Sequence, residues 1–432
     1  MNFNTVLYRL GMDPSNFINE EREPIRTENG FIYEVSQRTD IRNCPYCNSN
    51  NCYIQNYKYI EINCSETDHI KDILRIKKVR FKCKNCNKTF TPSISGIERY
   101  SRLSNQTIEM MTKDFTKVLT FKDIAFRYSI STARVLQLFD EKIKYVPRKT
   151  MPFALCIDEI KFNEEFNQKY CCVLYDFNNR NIVDIVKNRQ LGYLYEYFDD
   201  IKEDERKRVK YFISDMYDGY KNVKGRYFPW AVHVVDLFHV ISQLTRAVNK
   251  IRVAAMKNTH KSSIEYRFMK AHWKYFLCRK ENIPDKLYTS KLTGEVYHYD
   301  DMVFRCTLKN QDLLEAYTIL QDLYHYALNY NYKEALEFMD FITDRLLLSL
   351  NEHLQEVGST YRKWKPEIAN GLARTQSGKH YTNGIAESIN NNLKTIIKVS
   401  YGYHNFERFR KRAMLIKTYK KDLVWIPGPV HL

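Results

Sequence analysis

The chain has 432 residues, 44% of them hydrophobic and 28% charged, which is enough for two to four domains with cores of their own. Lys and Arg number 68 against 51 Asp and Glu, a formal net charge of +17. That excess selects an acidic partner and puts nucleic acid ahead of a merely soluble basic surface. The opening segment Met1–Phe17 lacks a basic stretch followed by an apolar run, and no apolar stretch reaches the ~18 residues of a membrane span. With eleven cysteines that read as metal ligands and buried hydrophobes and not as a disulfide framework, the expected setting is reducing and hence cytoplasmic.

Residues 1–43 are polar and mixed and read as a lead-in. Residues 44–92 carry two C-x-x-C knuckles, Cys44 and Cys47 in CPYC and Cys83 and Cys86 in CKNC. Each knuckle is a short turn offering two thiolates. Two of them close a tetrahedral shell of four thiolates that suits one structural Zn²⁺ and leaves no open position for chemistry. Cys52 and Cys64, between the knuckles, read as loop or strand cysteines ahead of spare ligands. Cys156, Cys171, Cys172, Cys278 and Cys306 sit in apolar or aromatic surroundings and read as small buried hydrophobes, not as a disulfide framework. The run Ile73–Cys83, ILRIKKVRFKC, alternates apolar and basic residues as a half-exposed strand does. Its basic face fits phosphates and a plain solvated surface equally well.

Residues 101–146 read as helical, and Phe121–Ile143 has the cadence of a helix-turn-helix. The turn falls at Tyr128–Ser131, and Ser131 or Thr132 caps a second helix that turns Val135, Leu136, Leu138 and Phe139 inward. Arg134 and Gln137 then face out, where a recognition helix reads a major groove. Pro147 and Pro152 mark a boundary. Past them, residues 152–236 give strands at Phe153–Phe162, Tyr170–Phe177 and Asn181–Asn188, a helix near Leu191–Ile201, a strand at Val209–Asp215, a short helix at Gly219–Tyr227 and a strand at Ala231–Asp236. The order is βββαβαβ. Residues 237–370 lack strand signals and form a helical block. Gly371–Gly384 is a loop, Gly384–Val399 a helix and Phe406–Lys421 a heavily basic helix.

Three acids on these elements are suited to chemistry. Asp158 lies on the apolar face of the first strand, a costly position unless a cation or hydrogen bonds compensate it. Asp215 closes the fourth strand where a β-to-α turn begins; a helix cap is the simpler reading. Glu387 stands on the helix Gly384–Val399. Ile385, Ala386, Ile389, Leu393, Ile396 and Ile397 form its apolar stripe, and Glu387, Asn391, Lys394 and Lys398 fall opposite, a lining suited to a phosphate backbone.

One acid on the first strand of a meander, one ending the fourth and one on a later helix make the RNase H-like plan. The motifs CPYC…RFKCKNCNKTF, IDEIKF, ISDMYDGY, FPWAVHVVDLFHV and NGIAESINNNLKTIIKVSYGYHNFERFRKR make the chain, from Cys44 to Met414, similar to the ISL-three family of bacterial insertion-sequence transposases. The resemblance implies a multidomain α+β protein: an N-terminal four-cysteine zinc ribbon, a helix-turn-helix, and an RNase H-like α/β catalytic core interrupted by an all-α insertion at 237–370 and completed by residues 371–421. It implies Asp158, Asp215 and Glu387 as a DDE triad holding two Mg²⁺ (or Mn²⁺) ions for in-line phosphoryl displacement. Implied partners are double-stranded DNA, both the terminal inverted repeats and the target, and a second copy of the chain or more at synapsis. Arg408, Arg410, Lys411 and Arg412 join Arg134, Gln137, Asn391, Lys394 and Lys398 as DNA contacts. Asp236 ranks below the triad. His233 and His239 read as core or hydrogen-bonding histidines ahead of metal ligands. Tyr217 and Tyr220 either contact DNA or pack the turn. A zinc and helix-turn-helix regulator without catalysis, and a structure-selective RNase H-like nuclease, are the competing functions.

Overall fold

The structure, a computed structural model, describes residues 3–18, 23–40, 43–64, 72–98, 101–162, 169–291, 293–326, 331–374, 380–381, 384–400 and 405–418. The chain forms two compact units, Met1–Pro147 with Thr395–Leu432, and Arg148–Lys394.

The first unit opens with α1 (Phe3–Arg9), β1 (Phe17–Ile18), β2 (Ile25–Arg26) and β3 (Phe31–Gln37), followed by β4 (Cys52–Asn63), β5 (Ile73–Cys83) and β6 (Thr89–Phe90). One sheet has the order β1-β3-β5-β4, with β2 added to β3 and β6 to β5. β4 and β5 pair antiparallel, and β3 pairs parallel to β5. Side chains alternate along a strand, so Leu74 and Ile76 share one face of β5 while Val79, Phe81 and Cys83 share the other. The first face closes a core with Val6, Leu7, Leu10, Tyr33, Val35 and Ile62; the second packs around the knuckles with Cys44 and Cys52. The lead-in is thus no separate segment: its strands extend the sheet of the cysteine module, and its helix covers one face.

Three helices follow, α2 (Asn105–Asp114), α3 (Phe121–Arg127) and α4 (Thr132–Lys142). Each begins on a hydroxyl cap: Ser104 accepts from Thr107 N, Thr120 makes a reciprocal box with Asp123, and Ser131 accepts from Arg134 N. Phe115, Phe121 and Phe139 meet edge to face between them.

The second unit is built on β7 (Ala154–Lys161), β8 (Tyr170–Asp176), β9 (Asn181–Val186), α5 (Leu191–Asp199), α6 (Glu203–Arg206), β10 (Tyr211–Ser214), α7 (Asp218–Tyr227) and β11 (Val232–Val235). The sheet order is β11-β10-β7-β8-β9. The meander β7–β8–β9 is antiparallel, whereas β10 runs parallel to β7 and β11 parallel to β10. The parallel pairs need the helical crossovers that α5 to α7 supply. Leu155, Ile157, Leu174 and Phe212 bury one face against Leu194, Phe198, Tyr220 and Val223 of those helices.

After β11 come α8 (Leu237–Lys257), α9 (Ile264–Ala271), β12 (Leu287–Thr289), β13 (Val296–His298), α10 (Tyr299–Leu308), α11 (Gln311–Tyr326), α12 (Tyr332–Leu348), α13 (Glu352–Lys363) and α14 (Lys365–Leu372). The region expected to be all helical thus contains an antiparallel hairpin, β12–β13. Its three-residue strands are too short to leave an alternation in the sequence. α14 returns to the sheet and lies on β11. A Cβ at Gly371 would meet Val235 O at 2.3 Å, so only glycine permits that approach, and Asn370 Nδ2 donates to His233 O at 2.8 Å.

The chain continues with α15 (Gly384–Val399) and α16 (Phe406–Thr418). The division between the units falls inside α15, so the basic α16 belongs to the first unit and not to the sheet that carries the acids. There Arg408 makes a bidentate pair with Asp140, with Nη2 to Oδ2 at 2.5 Å. No helix of the described residues is long and apolar enough to cross a membrane.

Candidate active site

The strand register sets three acids side by side in the second unit. Ile213 lies opposite Cys156, and Ser214 opposite Val235. Continuing each pairing brings Asp158 of β7, Asp215 after β10 and Asp236 after β11 to one level on three neighbouring parallel strands. They stand at the carboxyl ends of β10 and β11, the edge at which open α/β sheets bind ligands. Backbone pairing reaches this level, since Asp236 N donates to Ser214 O at 3.0 Å.

The three differ in surroundings. Asp158 Oδ1 accepts from Glu159 N at 2.8 Å and Oδ2 from Asn390 Nδ2 at 2.7 Å. Burial, above all, raises its carboxyl, with Asp236 adding to the rise and His239 opposing it. Asp215 is pushed up to about 6, first by burial and then by the negative charge of Glu159 and Asp158, with His239 again opposing. Its Oδ1 is buried without a hydrogen-bond partner. It does not serve as the cap of α7, whose N-cap is Tyr217. Asp236 is 1% exposed and caps α8, accepting from Phe238 N at 3.2 Å, with His239 Nε2 3.7 Å from its other oxygen.

Glu387 is exposed on α15, one turn before the buried Asn390 and so ~4.5 Å from it along the axis. Asn390 bonds Asp158 and accepts from Tyr175 Oη, which fixes α15 against β7 and β8 within this unit. Among the described residues no set of three carboxylate or imidazole groups brings its ligand atoms within 4.8 Å of one another. The aspartate row and Glu387 are therefore neighbours by fold without forming a closed cage.

The surrounding residues have structural partners. His233 is buried, bonds Ser214 Oγ at 2.8 Å, and is held neutral, its imidazole lowered to about 3 by burial and then by Lys224 and Lys221. Tyr220 is buried, with its hydroxyl on Glu159 at 3.1 Å, and Tyr217 packs edge-on against it. Glu159 also pairs with Arg189 at 2.9 Å.

In the first unit, Cys44, Cys47, Cys83 and Cys86 bring their sulfurs within 4.8 Å of one another. Cys44 Sγ to Cys86 Sγ and Cys47 Sγ to Cys83 Sγ are each 3.6 Å. A tetrahedral ion with Zn–S bonds of ~2.3 Å sets its sulfurs ~3.8 Å apart, so the four fit Zn²⁺. The knuckles turn alike: Asn48 and Asn87, each following a second cysteine, have φ of 56° and 57°, which asparagine tolerates.

The residues expected to meet DNA are unequal. Arg134 and Gln137 lie on the outer side of α4, but Gln137 Nε2 donates to Glu141 at 2.7 Å and Arg134 stands 3.8 Å from the same carboxylate. Asn391, Lys394 and Lys398 are exposed, and Arg410 and Lys411 are half-buried. Arg412 is not a surface residue. It is 1% exposed, donates to Lys117 O and Leu119 O at 3.1 and 2.9 Å, and covers the Phe121 ring at 4.8 Å. Its place three residues after Phe409 and four before Ile416 puts it on the inward stripe, where its guanidinium satisfies carbonyls past the end of α2.

A family model described as a transposase matches residues 155–413, more than half of the chain. The chain belongs to this transposase family, and the match is to its ISL-three branch. It is similar to the transposase for insertion sequence element IS1001 of Bordetella parapertussis, 23% identical over 361 residues, which cover 78% of this chain and 79% of that protein. It is also 28% identical over 115 residues to an ATP-dependent protease of Lactococcus lactis subsp. lactis, 27% of this chain; the chain spans about a third, 34%, of that protein's length. Asp158, Asp215, Asp236, Glu387 and Asn390 all fall inside the span matched to the family, and the four cysteines precede it.

Proposed function

We propose that the chain is a DNA transposase of a bacterial insertion sequence. It binds the terminal inverted repeats of its element, cuts DNA strands there and joins them to a target. The observation that carries this reading is the level row of Asp158 and Asp215 on adjacent parallel strands, with the Glu387 helix bonded to the same strand through Asn390. The βββαβαβ sheet, in the order β11-β10-β7-β8-β9, supports an RNase H-like core.

Asp158, Asp215 and Glu387 would hold Mg²⁺ or Mn²⁺, two ions in all. The buried Asp215 oxygen without a donor and the crowding of negative charge both fit a cation there. Bound metal supplies a more nucleophilic attacking oxygen and a stabilised leaving oxygen. The attacking oxygen, of water in cleavage or of a DNA 3′-hydroxyl in joining, bonds to phosphorus as the bond to the leaving 3′-oxygen breaks. The attacker's proton leaves to solvent and the departing oxygen gains one. The chain's own residues hold the carboxylates in position: Asn390 and Glu159 N orient Asp158, and the strand ends fix Asp215. Cys44, Cys47, Cys83 and Cys86 would hold one structural Zn²⁺ that folds the N-terminal module, with the α3–α4 pair presenting Arg134 and Gln137 to DNA. Synapsis of two DNA ends calls for a dimer or larger assembly.

A second assignment of the third acid has an observation of its own. Asp236 is level with Asp215, whereas Glu387 is exposed and one helical turn away from Asn390. The test is divalent-dependent nicking of a duplex carrying the element's end, followed by strand joining. Nicking without joining would make the protein a nuclease; binding with neither would make it a regulator.

A further inference from the structure

Asn390 is the amide in an otherwise apolar stripe. Its neighbours on α15, Ala386, Ile389, Leu393 and Ile396, are buried hydrophobics, and Asn390 itself is 6% exposed. A buried amide is costly unless both its donor and its acceptor are used. Here both are. Tyr175 Oη, on a ring that is fully buried in β8, donates to Asn390 Oδ1, and Asn390 Nδ2 donates to Asp158 Oδ2 at 2.7 Å. The chain of bonds has one sense. A tyrosine hydroxyl donates to the amide oxygen, which turns the amide nitrogen toward Asp158, and an ionised carboxylate only accepts.

We infer that Asn390 is a positioning residue for the metal-holding acids, a conclusion that rests on the proposed catalytic reading. It acts on two of them at once. It fixes the rotation of the Asp158 carboxylate by occupying Oδ2, while Glu159 N holds Oδ1 from the side. It also sets the height of Glu387 above the sheet, because the two residues are one turn apart on one rigid helix. A single amide thereby ties together acids from opposite ends of the matched span, the Asn390–Asp158 bond itself bridging 232 positions. Tyr175 acts one bond further out by fixing the face that the amide presents. Removing the amide leaves Asp158 free to rotate and α15 free to lift, and metal affinity suffers before DNA affinity does.

The experiment compares full-length wild type, Asn390→Leu, Tyr175→Phe and Asp158→Asn. Mn²⁺ binding without DNA is read by electron paramagnetic resonance, and cleavage is titrated with Mg²⁺ on an end duplex. Partners that orient metal ligands typically change affinity or activity by ~10- to 100-fold. Asn390→Leu, close in size and apolar like the rest of its stripe, is expected to weaken Mn²⁺ binding at least ~10-fold and to raise the Mg²⁺ needed for half-maximal cleavage by a similar factor, with KM for DNA unchanged. Tyr175→Phe keeps the ring in place, so it serves if the leucine variant fails to fold, and it should move both readings the same way by less. Unchanged Mn²⁺ affinity and Mg²⁺ response in folded Asn390→Leu, or in Tyr175→Phe if the former does not fold, would overturn the inference while Asp158→Asn remains inactive. Cleavage by Asp158→Asn would instead overturn the catalytic reading on which it rests.

Discussion

Asp215→Asn should make the second unit more stable while abolishing cleavage, and the size of the gain can be worked out. The Asp215 carboxyl lies at about 6 in the fold against 3.8 in its absence, raised first by burial and then by Glu159 and Asp158. A folded value above the unfolded one favours the protonated form. The contribution to stability is therefore complete below pH ~4 and is lost as pH rises through ~6. At pH 7.5, without Mg²⁺, the fold carries an ionised carboxylate in a crowded, poorly hydrated place. Two pH units at ~1.4 kcal/mol each make the penalty ~3 kcal/mol. Asparagine keeps the shape and drops the charge, so it should recover up to that amount at pH 7.5 and about half of it at pH 5. For a unit of this size, ~3 kcal/mol corresponds to ~6–12 °C in Tm. Differential scanning calorimetry in zinc-replete, Mg²⁺-free buffer reads it. Adding Mg²⁺ should then raise the wild-type Tm and leave that of the variant nearly unmoved, since the ion binds the folded site and relieves the same charge. An equal or lower Tm for Asp215→Asn at pH 7.5, or a gain that does not shrink at pH 5, would refute the reasoning.

Asp158→Asn, Asp215→Asn and Glu387→Gln should each abolish nicking with DNA affinity kept or slightly raised, and pairs of them should cost no more than one, because the acids act as a unit. Exposed Glu196→Gln is the control; Asp176 and Asp184 would serve poorly, since Asp176 accepts from Asn178 N and Asn179 N in the β8–β9 turn and Asp184 is buried against Tyr197. Normal nicking by Glu387→Gln with none by Asp236→Asn would transfer the third acid to Asp236. Cys44→Ser or Cys86→Ser should lose about one Zn²⁺ per chain by elemental analysis and expose the N-terminal module to protease, as structural zinc sites supply folding energy. Each lysine or arginine that meets a phosphate should contribute about −0.9 to the slope of log K against log salt, so alanine at exposed Lys394 or Lys398 should flatten it. Arg412→Ala should leave that slope alone and instead cost ~2–5 kcal/mol in the first unit, the range for emptying a buried, hydrogen-bonded site.

Local signals reached far into the second unit. Hydrophobic runs bounded by turn residues marked all five strands of its sheet, and the apolar period marked α15 from Gly384 to Val399 as it stands. What escaped was set by partners distant in sequence. β3 looked like polar lead-in because its reason to be a strand is parallel pairing with β5, where Ile32 lies opposite Ile73. Asn390 looked like one of three asparagines on a helix, and only Asp158 and Tyr175 distinguish it. Arg412 was legible in principle, since the spacing Phe409–Arg412–Ile416 places it inward, but the density of basic residues around it suggested a uniform charged face.

The acids illustrate why chemistry and stability part company at this edge of the sheet. A strand end that packs well would bury valine or isoleucine, as β10 and β11 do up to Ile213 and Val235. Placing Asp215 and Asp236 just beyond puts carboxylates where apolar side chains would pack, a cost that only hydrogen bonds or a cation can offset. Asp236 has a helix N-terminus at one oxygen and a histidine 3.7 Å from the other. Asp158 has both oxygens bonded, one of them to an amide delivered by a helix from the far end of the chain. Asp215 Oδ1 has no donor. A buried oxygen without a donor, standing between two other carboxylates, is where a cation gains from binding. The burial and the crowding of negative charge that push its carboxyl up to about 6 are the physical basis for expecting Asp215 to respond to Mg²⁺.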